Sequence, residues 1–265
     1  MKFQVQAEIL RNRPIAAGYY QIDLRAPQIA AAARPGQFVH VRIPLLEHRV
    51  LRRPFSIYDA DPATGRLSVI YKVVGEGTDV LSRRQEDTAD LLGPLGNGFT
   101  PPDDPGVQPV IVAGGYGCAA TYLLASPRFS SRRPLCLFGA RSREDLLLVE
   151  EFQALGCEVR TATDDGSAGR KGFVTELLRE LLEAPAACSL KVFACGPNPM
   201  LKAVSTLVLA RGLDAEISLD HAMCCGVGAC FACVVKRKAE TPDGWEYVRT
   251  CTDGPVFPAS STVWD

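Results

Sequence analysis

Four cysteines near the end of the chain carry its most specific chemistry. They lie in Met223-Cys224-Cys225-Gly226-Val227-Gly228-Ala229-Cys230-Phe231-Ala232-Cys233 and in Arg249-Thr250-Cys251-Thr252-Asp253-Gly254-Pro255. Counting from Cys225 gives C-x4-C-x2-C and then a lone downstream cysteine, the plant-type spacing for a [2Fe-2S] cluster. The chemistry asks for this spacing: four thiolates must converge on two irons, and the glycines let the backbone curl round the cluster with N–H groups aimed at its sulfurs. Zinc is the competing occupant. It favours two C-x2-C-like pairs or mixed Cys/His sets, and only Cys230 and Cys233 form such a pair here. Cys224 competes as first ligand, but registry with C-G-x-G-A-C favours Cys225. His221 would matter only at a Rieske-type centre, for which a second spaced histidine is missing.

Three further pieces, in the first third of the chain, suit a phosphorylated aromatic cofactor. Arg53-Pro54-Phe55-Ser56 sets a guanidinium beside a rigid turn and a hydroxyl, suited to a pyrophosphate and a ring nitrogen. Ile70-Tyr71-Lys72 offers an aromatic face, and Gly75-Glu76-Gly77-Thr78 a glycine turn into a helix whose free N–H groups attract phosphate. Each has a bland alternative: a strand-end charge, a core aromatic, ordinary turn glycines. In the middle of the chain, Gly114-Gly115-Tyr116-Gly117 and Cys195-Gly196-Pro197 each fall between an apolar strand and a helix. That is where α/β sheets bind ligands, although the first run does not fit G-x-G-x-x-G and a plain tight turn reads equally well.

The elements that must position these residues change character along the chain. Period-two stretches at Phe3–Leu10, Tyr19–Arg25, Gln37–Ile43, Phe55–Tyr58 and Leu67–Val74, with one helical candidate at Thr78–Arg84 capped by Thr78, predict a small antiparallel barrel over residues 1–102. Pro101-Pro102-Asp103-Asp104-Pro105-Gly106 reads as a linker. Strands and helices then alternate through residues 103–215, predicting a doubly wound parallel sheet. Residues 216–265 are too few for a complete ferredoxin domain. They predict a loop and a hairpin turned at Asp243-Gly244, which brings Cys251 back toward Cys230 and Cys233.

The order of the motifs resembles the ferredoxin–NADP reductase superfamily: R-P-x-S, a strand and G-x-G-T, then G-G-x-G and C-G-P. The resemblance implies that Arg53, Ser56, Tyr71 and Thr78 line FAD, with Pro54, Phe55, Ile70, Lys72 and Gly77 beside them. Gly93 to Phe99 would close the barrel. It also implies that Gly114, Gly115, Gly117, Cys195, Gly196 and Pro197 serve NAD, the Cys-Gly-Pro turn lying beside the nicotinamide. One departure stands out, Ala120 where that superfamily usually has Pro. Asp164-Asp165 at the end of the third strand of this half would accept ribose hydroxyls and repel a 2′-phosphate, favouring NADH, while Arg141 and Arg143 pull the other way. C-G-V-G-A-C-F-A-C, R-T-C-T-D-G-P-V-F, D-D-G-S-x-G-x-K-G-F-V-T and A-C-G-P narrow the likeness over essentially the whole chain. Together they resemble the family of electron-transfer subunits of two-component, NAD-linked dihydroorotate dehydrogenases. That family implies FAD and [2Fe-2S] in this chain and an FMN-containing catalytic subunit as partner, two copies of each in a heterotetramer. Electrons would pass from dihydroorotate through the partner's FMN, the cluster and FAD to NAD+. No acid–base or nucleophile constellation for oxidising dihydroorotate is legible here, so no catalytic residue is expected. A stand-alone reductase and a zinc-stapled non-redox protein are the alternatives.

Composition narrows the setting. The 265 residues suit about two domains, and 29 basic against 30 acidic side chains leave a net charge of -1 that suggests neither a nucleic-acid nor a membrane partner. No signal-peptide pattern or long apolar run is legible, so ten cysteines point to a reducing cytoplasm. Cys118, Cys136, Cys157, Cys188 and Cys195 are expected as buried inert thiols.

Overall fold

The structure, a computed structural model, describes residues 1–43, 51–85, 87–185 and 188–264. Six strands, β1 (Phe3–Ala16), β2 (Tyr19–Arg25), β3 (Phe38–Arg42), β4 (Arg53–Asp61), β5 (Arg66–Lys72) and β6 (Thr88–Leu95), close an antiparallel barrel in the order β1-β2-β5-β4-β3-β6. Alternation does the sorting: Ile22, Leu24, Val39, Val41, Leu67, Val69 and Leu91 point inward and fill it. β1 runs past the expected Leu10, because Asn12 is buried and fully used. Its amide donates to Leu81 O (2.7 Å) and Arg84 O (3.1 Å) and accepts from Tyr71 Oη (3.0 Å).

Two helices accompany the barrel, α1 (Pro27–Ala32) and α2 (Glu76–Ser82). The first, unforeseen in the sequence, is under two turns long and buries Ile29 and Ala30. The second starts earlier than expected, and Thr78 is its third residue, not its cap. The Thr78 hydroxyl accepts N–H groups from Val74 (2.9 Å) and Gly75 (3.3 Å) and donates to Gly75 O (3.0 Å), folding the glycine turn onto the helix start.

The second half is a seven-stranded sheet with helices. Its elements are β7 (Val107–Gly114), α3 (Gly117–Thr121), β8 (Leu135–Ala140), α4 (Val149–Ala154), β9 (Glu158–Thr163), β10 (Arg170–Lys171), α5 (Val174–Glu183), β11 (Ser189–Cys195), α6 (Asn198–Leu209) and β12 (Asp214–Ser218). Helix α3 ends early and continues as a 3-10 turn through Tyr122–Ala125. The strand order is β10-β9-β8-β7-β11-β12, all parallel, with β15 (Val256–Pro258) added antiparallel to β12 at the edge. Between β12 and β15 the chain makes the cluster loop and a hairpin of β13 (Val234–Lys238) and β14 (Trp245–Arg249). Through β15 the chain thus returns to the nucleotide sheet. No described helix is long and apolar enough to cross a membrane.

Candidate electron-transfer site

The hairpin does what its turn residues require. Gly244 takes φ +74°, β13 and β14 pair, and the Thr250 N–H donates to Cys233 O (2.9 Å), so Cys251 lands beside Cys233. Both are buried, packed against Phe38 and Leu95 on the outside of the barrel. The segment Gly93–Phe99, expected as a closing turn, also grips the cluster segment. The Asn97 N–H donates to Gly254 O (2.6 Å) and its side-chain amide to Thr252 O (3.2 Å) and Asp253 O (3.0 Å). Arg249 ties the loop from the other side, donating to the Asp253 carboxylate (3.2 Å) and to Gly228 O (3.3 Å).

The four thiols form two facing pairs, Cys225 with Cys230 and Cys233 with Cys251. Among the described residues no group of three or more His, Cys, Asp or Glu side chains lies close enough together to hold a metal ion. Two pairs of thiols would supply the four thiolates that a [2Fe-2S] cluster takes. Gly226 at φ +70° and Gly228 at φ +88° turn the backbone inward, and the Ala229 N–H donates to Cys225 Sγ (3.3 Å). Burial opposes charge on Cys225, yet N–H groups from Val227, Cys230 and Ala229 and the Cys230 thiol bring it down to about 6. Burial and the facing Cys233 push the Cys251 thiol up to about 11. Orphaned polar atoms gather at the same place: both ring nitrogens of His40, against Gly226, and the hydroxyl of Thr252, against Gly228, are buried without a partner among the described residues. Burial and then the Arg52 guanidinium hold His40 down at about 4, which keeps it neutral. The donor set fits an iron–sulfur cluster.

The flavin motif is only partly assembled as the sequence suggests. Arg53, Gly77 and Thr78 come together with Val74, Gly75 and Glu76 around a cleft of about 290 Å³, and the Arg53 guanidinium passes 3.5 Å from where a Cβ on Gly77 would lie. Pro54, Phe55 and Ser56 follow on β4, paired with His40, Val39 and Phe38 of β3. Tyr71 does not present the expected open face. It is 3% exposed, packed against Tyr20 and Phe55 inside the barrel, with its hydroxyl held by Asn12. Ile70 and Lys72, its neighbours on β5, have the opposite fate: Ile70 packs toward the nucleotide half, and Lys72 lines the second cleft with its ammonium 4.9 Å above the Tyr19 ring. Tyr19, which sequence reasoning passed over, is the barrel aromatic at that cleft.

The second cleft, of about 920 Å³, lies at the carboxyl ends of β7 and β11 and is lined by Gly114, Gly115, Gly117, Cys195, Gly196 and Pro197. Most of these glycines serve packing. A Cβ on Gly117 would lie 2.3 Å from Cys195 O, and one on Gly196 2.6 Å from Met200 Cε; only Gly115, at φ +55°, faces open space. Gly114, Gly117 and Gly196 therefore let two strand-end turns touch while still lining the cleft. Burial, then the Asp220 carboxylate, push the Cys195 thiol up to about 12, so it stays neutral. Asp164 lines the cleft, whereas Asp165 is spent within its turn, accepting from the Ser167 N–H (2.9 Å) and hydroxyl (2.6 Å). Arg141 is paired with Asp145 (3.0 Å). Tyr116, Asp220 and Phe173, unforeseen as site residues, complete the rim, the Tyr116 hydroxyl donating to Asp220 (2.6 Å). Of the five scattered cysteines, four are buried as expected, but Cys188 is half-buried.

Comparisons with known proteins agree with this geometry. Residues 220–263 match a family model described as the iron-sulfur cluster binding domain of dihydroorotate dehydrogenase B, and residues 111–206 match an oxidoreductase NAD-binding domain. The chain is 37% identical over 261 residues to the dihydroorotate dehydrogenase B (NAD(+)) electron transfer subunit of Desulforamulus reducens, covering 98% of each chain. It is 38% identical over 264 residues to the protein of the same name from Enterococcus faecalis strain V583, again covering 98% of each. Among solved structures, a chain of an NADH-dependent reduced ferredoxin–NADP oxidoreductase, studied for flavin-based electron bifurcation, superposes with a TM-score of 0.84 at 29% identity. That match covers 98% of this chain and 90% of the other. A ferredoxin reductase of carbazole 1,9a-dioxygenase shares the fold, with a TM-score of 0.65 at 22% identity over 80% of this chain and 67% of the other. A closed flavin-type barrel, a parallel nucleotide sheet and two thiol pairs in one chain, together with full-length relatives, place this protein in the family of dihydroorotate dehydrogenase B (NAD(+)) electron transfer subunits.

Proposed function

We propose that this chain takes electrons from an FMN-containing dihydroorotate dehydrogenase catalytic subunit and delivers them to NAD+. The division of labour is a flavin unit over residues 1–102, a nucleotide unit over 103–215 and a cluster unit over 216–265. The observation that carries the reading is the packing of Cys233 and Cys251 directly on Phe38 of β3, the strand paired with Arg53-Pro54-Phe55-Ser56. When bound, FAD exchanges electrons singly or in pairs and the cluster singly, which lets two-electron and one-electron donors be coupled.

The chain's own residues bind and orient these groups. Arg53, Gly77 and Thr78 would hold the flavin phosphates, with Ser56 and the β5 backbone at Ile70, Tyr71 and Lys72 toward the ring. Cys225, Cys230, Cys233 and Cys251 would hold the irons. The cleft at Gly115 and the Cys195-Gly196-Pro197 turn would receive the nicotinamide nucleotide. An open Asp164 together with an Arg141 already paired favours NADH over its phosphorylated form. Val227 and Phe231, which flank Cys230, are 44% and 61% exposed and suit a protein docking face beside the cluster. A heterotetramer with two copies of each subunit, in a reducing cytoplasm suited to unpaired thiols, completes the proposal.

Co-expression with the FMN subunit tests it. The expected result is a stable complex that forms orotate with NAD+, and undiminished NAD+-dependent activity without this chain would refute the role. The 29% identical bifurcating oxidoreductase supports a second reading, a reductase serving another catalytic subunit. Under that reading the complex would not form and NADH oxidation would need a different acceptor.

A further inference from the structure

The two faces of β3 have different fates. Val39 and Val41 point into the barrel, whereas Phe38 and His40 point out toward the cluster segment. Phe38 packs with Cys233 and Cys251 and tilts against the His40 ring at 5.6 Å. His40 itself is 0% exposed, and the ring edge that carries both nitrogens faces Gly226. A Cβ there would lie 2.6 Å from Cε1, 2.7 Å from Nε2 and 2.9 Å from Nδ1. Neither nitrogen has a partner among the described residues. A neutral imidazole offers one N–H donor, and a buried donor left unpaired is destabilising. The loop spares this edge any side chain, and the residue before Gly226 is Cys225, whose sulfur already accepts backbone N–H groups, that of Ala229 at 3.3 Å among them.

We infer that His40 is a positioning and tuning residue for the cluster, its ring N–H donating to a cluster sulfur at the Cys225 corner. The inference rests on the assignment of the four cysteines as [2Fe-2S] ligands. A hydrogen bond to sulfur favours the reduced, more negative cluster, so His40 raises the potential and eases electron uptake. In the strand register His40 lies opposite Pro54, so the same residue sits on the strand next to the flavin motif.

The test uses the full holoprotein labelled with [15N]histidine, of which the chain has three, reduced and examined by pulsed electron paramagnetic resonance. The expected result is a histidine 15N coupling to the reduced cluster that vanishes in His40→Leu. In parallel, a redox titration of His40→Leu should move the cluster about tenfold toward the oxidised state at a given potential, about 59 mV for one electron. His40→Gln, which keeps an N–H donor, should move it by less than half of that. An intact cluster signal without histidine coupling in the wild-type protein overturns the inference, and needs no variant to fold. Coupling that persists in His40→Leu, or an unchanged potential in that variant, overturns it equally. A sample with no reduced-cluster signal at all would sink the cluster assignment and this inference with it.

Discussion

Substituting Gly226 by Ala perturbs the cluster loop at a point where the cost can be worked out. Gly226 holds φ +70°, a conformation that charges an L-residue about 1–2 kcal/mol. The added methyl would also lie 2.6 Å from His40 Cε1, roughly 1 Å inside normal carbon contact of about 3.5–4.0 Å. His40 is buried on a barrel strand and cannot swing away, so overpacking adds about 1–3 kcal/mol and the total is about 2–5 kcal/mol. Gly244→Ala is the internal control: at φ +74° with nothing within 4 Å, it carries the backbone cost alone. Urea unfolding of each purified holoprotein, at unchanged slope, gives the difference. In the double variant Gly226→Ala with His40→Ala the steric part should disappear, leaving a coupling of about 1–3 kcal/mol. The reasoning fails if Gly226→Ala lies within about 0.5 kcal/mol of Gly244→Ala, the usual spread for independent sites.

Further expectations are more quickly stated. Cys225→Ser should abolish the visible absorbance of the cluster while Cys224→Ser keeps it, and the reverse pattern would reassign the first ligand. Arg53→Gln should weaken FAD retention by about 10- to 150-fold, the range for a lost charged hydrogen bond of about 1.5–3 kcal/mol; undiminished flavin after dialysis would count against a phosphate role. Gly117→Ala should destabilise the fold well beyond Gly115→Ala, since its Cβ meets the Cys195 carbonyl at 2.3 Å, and thermal midpoints compare them directly. The Ser167 hydroxyl, then its N–H, hold Asp165 below the usual carboxylate range. Its folded pKa is therefore the lower one, and its small contribution is present above about pH 4 and fades as pH falls. Asp165→Asn should flatten that acid limb in urea midpoints measured from pH 3 to 6.

The sequence carried the architecture where local signals and tertiary contacts agree. Alternating strands, the Asp243-Gly244 turn and the C-x4-C-x2-C spacing are each local, and the structure keeps all three. What it hid depends on distant partners. Arg11-Asn12-Arg13-Pro14 reads as the end of a strand, yet β1 continues because Asn12 finds Leu81, Arg84 and Tyr71 across the barrel. The aromatic beside the flavin motif looked usable at Tyr71, but strand alternation turns it inward and leaves Tyr19, on a neighbouring strand, at the cleft. Gly114 and Gly117 read as room for phosphate; both line the cleft, and their second task, letting two turns touch, shows only in the fold. His40 gave no signal at all: a lone histidine in a strand shows its orphaned nitrogens only once the cluster loop has folded over it.

The most direct measurement is an anaerobic titration of the purified chain with NADH, followed in the visible range and by electron paramagnetic resonance, after iron, sulfide and flavin have been assayed. Two irons, two sulfides and one FAD per chain are expected, with flavin bleaching and the reduced-cluster signal both rising as NADH is added. Zinc in place of iron and sulfide, or a flavin that bleaches while the cluster stays oxidised, would contradict the account.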